Sequence, residues 1–425
     1  MIKKTDSLPT HSADLAEESA LPHLAPPREW PLLLVLAGIH FTHIMDFMVM
    51  MPLGPQFMRL FEISPQQFGF MVSVYTFSAG IFGFIAAFVI DRFDRKSALL
   101  WLYAGFAAAT LLCALSGSYL MLLAARAVAG AFGGVMGAVV FAIIGDVIPE
   151  QRRGAATGTV MSSFSFAAVV GVPTGLFLAN LSDWRAPFFF LTAVSLVILL
   201  AATRVLPQVK GHMAHKHERH PLKQLRNIFF ERDHLYAFAL IAALMLAGFS
   251  VIPFISPYMV ANVGVLESDL PYLYFFGGLA TFFTARLIGK LADQHGKGKV
   301  FRVVAAISIA PILAVTHLPQ IPTPFAIMVT AAFMVFVSGR FVPAMALITA
   351  SVAPRLRGSF MSFNSAVQQI AAGFASLLAG AIIAKSASGE LLHYDTVGVI
   401  AALATLASIF LSFKLRSAEV KSSAA

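Results

Sequence analysis

The chain has 425 residues, of which 58% are hydrophobic and only 12% charged, and its mean hydropathy is +0.80. A soluble protein carries about twice that charge fraction, so the composition excludes an ordinary water-soluble chain and places most residues in lipid. The net charge of +9 would suit a nucleic-acid partner, but its distribution along the chain excludes that class, and the single cysteine, Cys113, excludes an intrachain disulfide.

Residues 1–29 are polar, contain Pro9, Pro22, Pro26 and Pro27, and have no apolar core of a signal peptide, so they read as a disordered cytoplasmic tail, with Trp30 as the first interfacial anchor. A bilayer-spanning helix needs about 20 mostly apolar residues. Six such stretches are predicted in 30–205, near 31–53, 66–90, 97–115, 119–145, 154–180 and 186–205. A hydrophilic linker, 206–234, follows. Its Leu222, Leu225, Ile228 and Phe229 suit a short helix lying on the membrane face. His212, His215, His217 and His220 in it read as part of a solvated linker rather than a metal-capturing loop. Six more spans are predicted in 235–414, near 235–259, 269–292, 300–318, 323–350, 358–383 and 392–414, before a short cytoplasmic tail, 415–425. The expected fold is an all-α membrane protein of twelve transmembrane helices in two pseudo-symmetric six-helix bundles.

With the N-terminus in the cytoplasm, cytoplasmic segments hold 24 of the 30 Lys and Arg residues, outer loops hold Arg59, Arg185 and Lys385, and the spans hold Arg126, Arg286 and Arg340. The basic character is therefore the positive-inside bias of a multi-pass protein. It predicts an inner (cytoplasmic) membrane protein with both termini cytoplasmic and no nucleic-acid surface.

Two loops look alike at a separation of 202 residues: Ala87-Phe-Val-Ile-Asp91-Arg92-Phe-Asp94-Arg95-Lys96 and Gly289-Lys-Leu-Ala-Asp293-Gln-His-Gly296-Lys297-Gly-Lys299. Each places an acid four residues after a small residue, then a basic cluster, after the second span of its half. A second pair, Pro149-Glu-Gln-Arg-Arg153-Gly154 and Pro354-Arg-Leu-Arg357-Gly358, precedes spans five and eleven. An internal repeat of this kind fixes a two-fold architecture.

The Asp91–Lys96 loop resembles the signature between helices two and three of the major facilitator superfamily, GxxxDRxGRK, with Ala87 and Asp94 in place of its two glycines. Gly289–Lys299 is similar to its degenerate second copy. Arg126 with Gly130 resembles the RxxxG signature of helix four, and Gly171-Val-Pro173-Thr-Gly175 resembles the Gly-Pro signature of helix five in exporters. The resemblance is strongest to the twelve-helix drug:proton antiporter branch, with its sugar-efflux and arabinose-efflux-like permeases. It implies a conformational latch made by Asp91, Arg92, Arg95 and Lys96 against helix eleven, and by Asp293 and Lys297 against helix five. It also implies helix packing at Gly130, Gly171, Pro173 and Gly175, export rather than import, and a part for Arg126 in proton transfer.

Small residues four apart let helix backbones approach closely, so Gly130, Gly133, Gly134 and Gly137, like Gly171 and Gly175, are expected at tight contacts, and Pro173 is expected to bend helix five. Asp46 is the one carboxylate placed well inside a span. His43 and His40 precede it at three-residue steps, which set all three on one helical face. Charges in the bilayer tend to be functional. Asp46, His43 and Arg126 are therefore the candidate proton-coupling group: near Asp46, Arg126 would hold it ionised, and at a distance release it to protonate. Met45, Met48, Met50 and Met51 on the same helix read as adaptable apolar lining. His40, Tyr75, Ser250, Tyr258, Arg340, Asn364 and Gln368, with Ser78 and Gln369, are the candidate walls of a substrate cavity, and Arg286 reads as structural.

No P-loop, GxSxG, HExxH or CxxC occurs, so neither an enzyme nor an ATP-driven pump is expected, and no cofactor or metal. The reading is a proton-coupled secondary transporter, working as a monomer and exporting small organic molecules, drugs or sugars, by alternating access. Proton-coupled or facilitated import of a small metabolite is the alternative.

Overall fold

In lipid a backbone can satisfy its own hydrogen bonds only as a helix or a closed barrel, and the apolar stretches of this chain form helices throughout. The computed structural model describes residues 26–209, 231–353 and 356–415, with the side chains of 26–28, 91, 358 and 359 outside that description. The tails and the histidine-rich linker thus lie outside the described residues. In the first half the long helices are α1 (Pro26–Val49), α2 (Pro65–Val89), α3 (Arg95–Ala114), α4 (Tyr119–Val147), α5 (Glu150–Leu181) and α6 (Ala186–Val205). The second half has α7 (Arg232–Val263), α8 (Leu270–His295), α9 (Lys297–Thr316), α10 (Thr323–Ala350), α11 (Arg357–Ile382) and α12 (Tyr394–Lys414). Eleven of the twelve are long and apolar enough to cross a membrane. The exception, α8, is as long as the others but diluted by Arg286, Lys290 and Asp293.

Local chemistry sets the helix ends. α1 starts at Pro26, five residues ahead of the expected first span, because proline costs little where a helix's first N–H groups are unpaired anyway. Ser64 caps α2 through a reciprocal pair: its Oγ accepts from Gln67 N at 3.2 Å and its own N donates to Gln67 Oε1 at 2.9 Å. Asp94, which stands where the family loop has glycine, caps α3 by accepting from Ser97 N at 3.0 Å, and its other oxygen accepts from Val209 N at 3.0 Å. The departure from the family pattern therefore fastens the chain leaving α6. The internal repeat is visible atom by atom: Arg153 Nε donates to Ile148 O at 2.9 Å, and 204 residues later Arg357 Nε donates to Val352 O at 3.2 Å.

The halves meet along two seams, α2 against α11 and α8 against α5. These are symmetry-related, since α2 corresponds to α8 and α5 to α11. They are not equally closed. The α2–α11 seam is sealed end to end. Ser73 Oγ donates to Gly373 O at 2.7 Å, Ser376 Oγ donates to Gly69 O at 3.2 Å, and Phe84 and Phe88 pack on Phe363 toward the basic loops. The α5–α8 seam is closed only in its upper part, where Gly278 lies against the Ala168 backbone and Phe177 meets Tyr272. Below Ala167, α5 packs on α1 and stands largely apart from α8, and Gly154 and Gly158 face open space.

The end remote from the basic loops is closed. Phe68 packs on Phe254, and Phe47 on Phe249. The short helix Gly54–Leu60 brings Arg59 into a two-pronged ion pair with Glu267, whose carbonyl also accepts from Asn180 Nδ2 at 3.3 Å. A two-stranded hairpin, Ala384–Lys385 with Leu391–Leu392, is held there by Asn262, which bonds both the N and O of Leu391. The molecule therefore opens toward its basic end.

Candidate functional site

α1 carries His40, His43 and Asp46 on one face, and α4 approaches that face closely because it is stripped to glycine there. A Cβ on Gly130 would lie 2.3 Å from Tyr75 O, and one on Gly134 would lie 2.2 Å from Ala79 O, so α2 and α4 touch backbone to backbone. A Cβ on Gly133 would lie 2.8 Å from His43 Nε2 and 2.7 Å from the Tyr75 hydroxyl, so this glycine makes the space those two side chains occupy.

Arg126, one turn above Gly130, then reaches Asp46. Its Nη1 donates to Asp46 Oδ2 at 2.6 Å and to Asp46 O at 3.3 Å. The pair is sealed, Asp46 being 0% and Arg126 1% exposed. The Thr110 hydroxyl on α3, shared between Phe106 O at 3.0 Å and Asp46 Oδ1 at 3.4 Å, supports the second carboxylate oxygen. The guanidinium lies over the Tyr75 ring, 4.3 Å from its centroid. Beside the pair, both His43 ring nitrogens and the Tyr75 hydroxyl are shielded and have no partner among the described residues. A buried ion pair is a poor stability device, since desolvation offsets its Coulomb gain, whereas removing one partner costs about 3–5 kcal/mol. Its place in the membrane interior, beside unused proton acceptors, points to function.

Among the described residues the second half has no such pair. Ser250 and Thr330 stand 204 residues after Asp46 and Arg126, and both hydroxyls are buried without a partner among the described residues. The second bundle buries a cation, Arg340, at 1% exposure, but among the described residues no carboxylate pairs with it.

A sequence profile of the Major Facilitator Superfamily matches residues 36–376 and 238–425. The chain belongs to the major facilitator superfamily. It is a multi-pass membrane transporter of small solutes, and as a member of that superfamily it is not an enzyme. The MFS-type transporter YceJ of Bacillus subtilis (strain 168) is 26% identical over 339 residues, 79% of this chain and 85% of that protein. A probable sugar efflux transporter of Helicobacter pylori (strain G27) is 24% identical over 241 residues, 56% of this chain and 60% of that protein. Among solved structures, a D-xylose–proton symporter superposes with a TM-score of 0.73 at 15% identity, covering 89% of this chain and 96% of that one. A bacterial homolog of the human lysosomal transporter Spinster, inward-facing and unoccupied, superposes at 0.69 and 16% identity, covering 92% and 95%. At these identities the structures speak for the fold.

The other superfamily motifs fall into place unevenly. At Gly171 and Gly175 α5 packs on Met45, with Val49 also against Gly175, and ahead of Pro173 the helix widens into a π-turn over Ala167–Gly171, a usual way of absorbing a helix irregularity. Of the latch residues, Asp91's side chain lies outside the described residues. Arg95 is 7% exposed and donates from Nε to Asp146 Oδ2 on α4 at 3.3 Å, while Arg92 is exposed and Lys96 half-buried. Asp293 and Lys297 are exposed, and Asp293 forms no ion pair among the described residues. The expected contact of Asp293 with α5 is not made here, because that seam is open at the basic end.

The expected cavity walls need correcting. His40 is half-buried, its Nδ1 2.8 Å from Ser163 Oγ on α5, and Gln368 is half-buried on α11, as is Gln369. Tyr75, Ser250 and Asn364 are each 1% exposed. Tyr258 donates to Leu318 O at 3.0 Å and packs at a tilt on Tyr394 inside the second bundle. Arg340 turns away from the interface between the halves and donates from Nη1 to Ser308 Oγ on α9 at 2.9 Å and to Thr405 Oγ1 on α12 at 2.7 Å. Polarity marked these residues, but a helix shows polar groups to its own bundle as readily as to a cavity. Sequence reasoning missed Thr110, which matters only through the Asp46 that α1 brings against it, and it placed Gly133 at a helix contact without the His43 and Tyr75 side chains it makes room for. Among the described residues no cluster of His, Cys, Asp and Glu is suited to hold a metal ion.

Proposed function

We propose that the protein is a proton-coupled exporter of small organic molecules in the bacterial inner membrane, cycling by alternating access with both termini in the cytoplasm. The sealed Asp46–Arg126 pair carries this reading. In the pair the Asp46 carboxyl group accepts from two donors, Arg126 Nη1 and the Thr110 hydroxyl. A proton arriving from the outer side would neutralise it, and separation of α1 from α4 at the glycine contact would free Arg126. His43 and Tyr75, unpartnered and adjacent, are placed to relay that proton. The basic end faces the cytoplasm under the positive-inside rule. The α5 Gly-Pro motif and the similarity to a probable sugar efflux transporter support export, and within the exporter reading support sugars among the cargo classes.

The decisive measurement is substrate flux in inverted membrane vesicles under an imposed pH gradient, with a panel of sugars and amphipathic drugs. Uptake driven by an acidic vesicle interior supports export coupled to proton return. Flux only in right-side-out vesicles would make the protein an importer. The latch is tested alongside: Asp91→Asn should leave expression intact and cut transport, and wild-type flux in this variant would exclude the latch.

The outer closure should be a moving part. Arg59 is exposed, so its ion pair with Glu267 contributes at most about 1 kcal/mol, which suits a contact broken in every cycle. In a Cys113→Ala background, Arg59→Cys with Glu267→Cys should be bridged by a bifunctional methanethiosulfonate reagent long enough to span two long side chains, which should arrest transport, and reductant should restore it. Undiminished flux in the cross-linked protein would show that this end does not open.

A further inference from the structure

In its lower part the α5–α8 seam is nearly free of contact and leaves a crevice between the two helices. Continuing down α5 from the Ala168–Val169 contact in steps of three and four, its wall is Ser165, Met161, Gly158 and Gly154. Continuing down α8 from Gly278, the facing wall is Phe282, Arg286 and Gly289. Met161 is 54% exposed, and Gly154 and Gly158 have nothing within 4 Å of a built Cβ. The α2–α11 seam, related to it by the internal symmetry, has no such gap. A gap on one side only is a lateral doorway.

Arg286 stands in that doorway. It is exposed, its guanidinium lies 4.5 Å from the Phe282 ring centroid, and it forms no ion pair among the described residues. It lies nine residues before the end of α8, roughly 13 Å along the axis, and one turn deeper than Lys290, the last cation before the basic loop. An unpaired cation at that depth is costly, and a guanidinium is the group best matched to phosphate and carboxylate oxygens. The surroundings are apolar: Phe283, Leu287 and Phe164 are 63%, 56% and 48% exposed. An inorganic anion would gain nothing from these side chains, whereas an acyl chain would cover them.

We propose that the α5–α8 crevice binds an anionic amphiphile, headgroup on Arg286 and tail along Met161, Phe282 and Phe283, entering sideways from the adjoining leaflet. This deepens the transport reading by naming a class of cargo, and rests on it only in calling the bound molecule cargo.

The test is thermal unfolding of the full-length protein in neutral detergent with dodecyl phosphate, dodecyltrimethylammonium or inorganic phosphate. Dodecyl phosphate should raise the midpoint, and the other two should not. Arg286→Gln should weaken the apparent affinity at least about tenfold, the loss of charge-assisted hydrogen bonds, and Arg286→Lys should recover part of it. Met161→Trp, which narrows the lane and keeps the charge, should weaken it too, so the proposal stays testable if one variant folds poorly. Equal protection by the cationic detergent, or wild-type affinity in both Arg286→Gln and Met161→Trp, would overturn the proposal. Protection by inorganic phosphate alone would overturn it in favour of a free-anion site. Asp46→Asn should bind dodecyl phosphate as wild type does, so failure here and failure of proton coupling are separate results.

Discussion

Replacing Asp46 with Asn is expected to abolish transport driven by a pH gradient while leaving substrate exchange across the membrane in place. The asparagine carbonyl can still accept from Arg126 Nη1, where Asp46 Oδ2 now sits at 2.6 Å, so the variant should fold and bind cargo. It cannot take up and release a proton. Arg126→Met is the harsher change. It leaves an uncompensated carboxylate at a position 0% exposed to solvent, which costs about 3–5 kcal/mol unless the group protonates. The double variant Asp46→Asn with Arg126→Met should regain much of that stability, because neither partner is then an isolated charge, yet remain uncoupled. Contacting residues are where additivity fails, by about 0.5–3 kcal/mol. Proton-driven accumulation by Asp46→Asn at the wild-type level, measured beside counterflow in proteoliposomes, would remove Asp46 from the coupling mechanism.

Gly134→Leu is expected to prevent stable assembly of the first bundle. The atom that a Cβ there would meet at 2.2 Å is Ala79 O, with Ala79 Cα at 2.5 Å. Backbone cannot rotate aside as a side chain can, so α2 and α4 must separate. The same contact holds Tyr75 beneath Arg126, so the damage reaches the ion pair. Overpacking on this scale costs about 3 kcal/mol or more. Gly137 supplies the control. It lies three residues further along the same stripe, but nothing lies within 4 Å of its built Cβ. Gly137→Ala should therefore be neutral, or stabilising by up to about 1 kcal/mol through helix propensity. Thermal unfolding of the two purified variants tests the contrast, and similar midpoints would show that the α2–α4 contact is looser than described.

These two predictions divide along the line between sequence and structure. Asp46, His43 and Arg126 could be marked as a group from sequence, because an ionisable residue in a bilayer span is rare enough to stand out and a three-residue step is fixed by helix geometry. That Arg126 reaches Asp46 rather than lipid depends on the α1–α4 approach, which involves residues 80 apart. The glycine stripe was legible, but the difference between Gly134 and Gly137 was not, since it lies in the neighbouring helix. Arg286 looked structural because the chain alone cannot say which face of α8 is covered. Arg340 looked like a cavity residue for the same reason, and its partners Ser308 and Thr405 come from two other helices.

The twelve helices and the internal two-fold repeat are legible along the chain, because burial of backbone in lipid, positive-inside charge and repeated loops are all local or periodic properties. Tertiary structure alone decided which polar side chains face one another and which seam is closed. Two seams built from matching helices differ here, α2–α11 sealed and α5–α8 open below Ala167. Each seam is made by residues far apart in the chain, 300 positions in the Ser73–Gly373 contact, so its closure is not written in either helix alone.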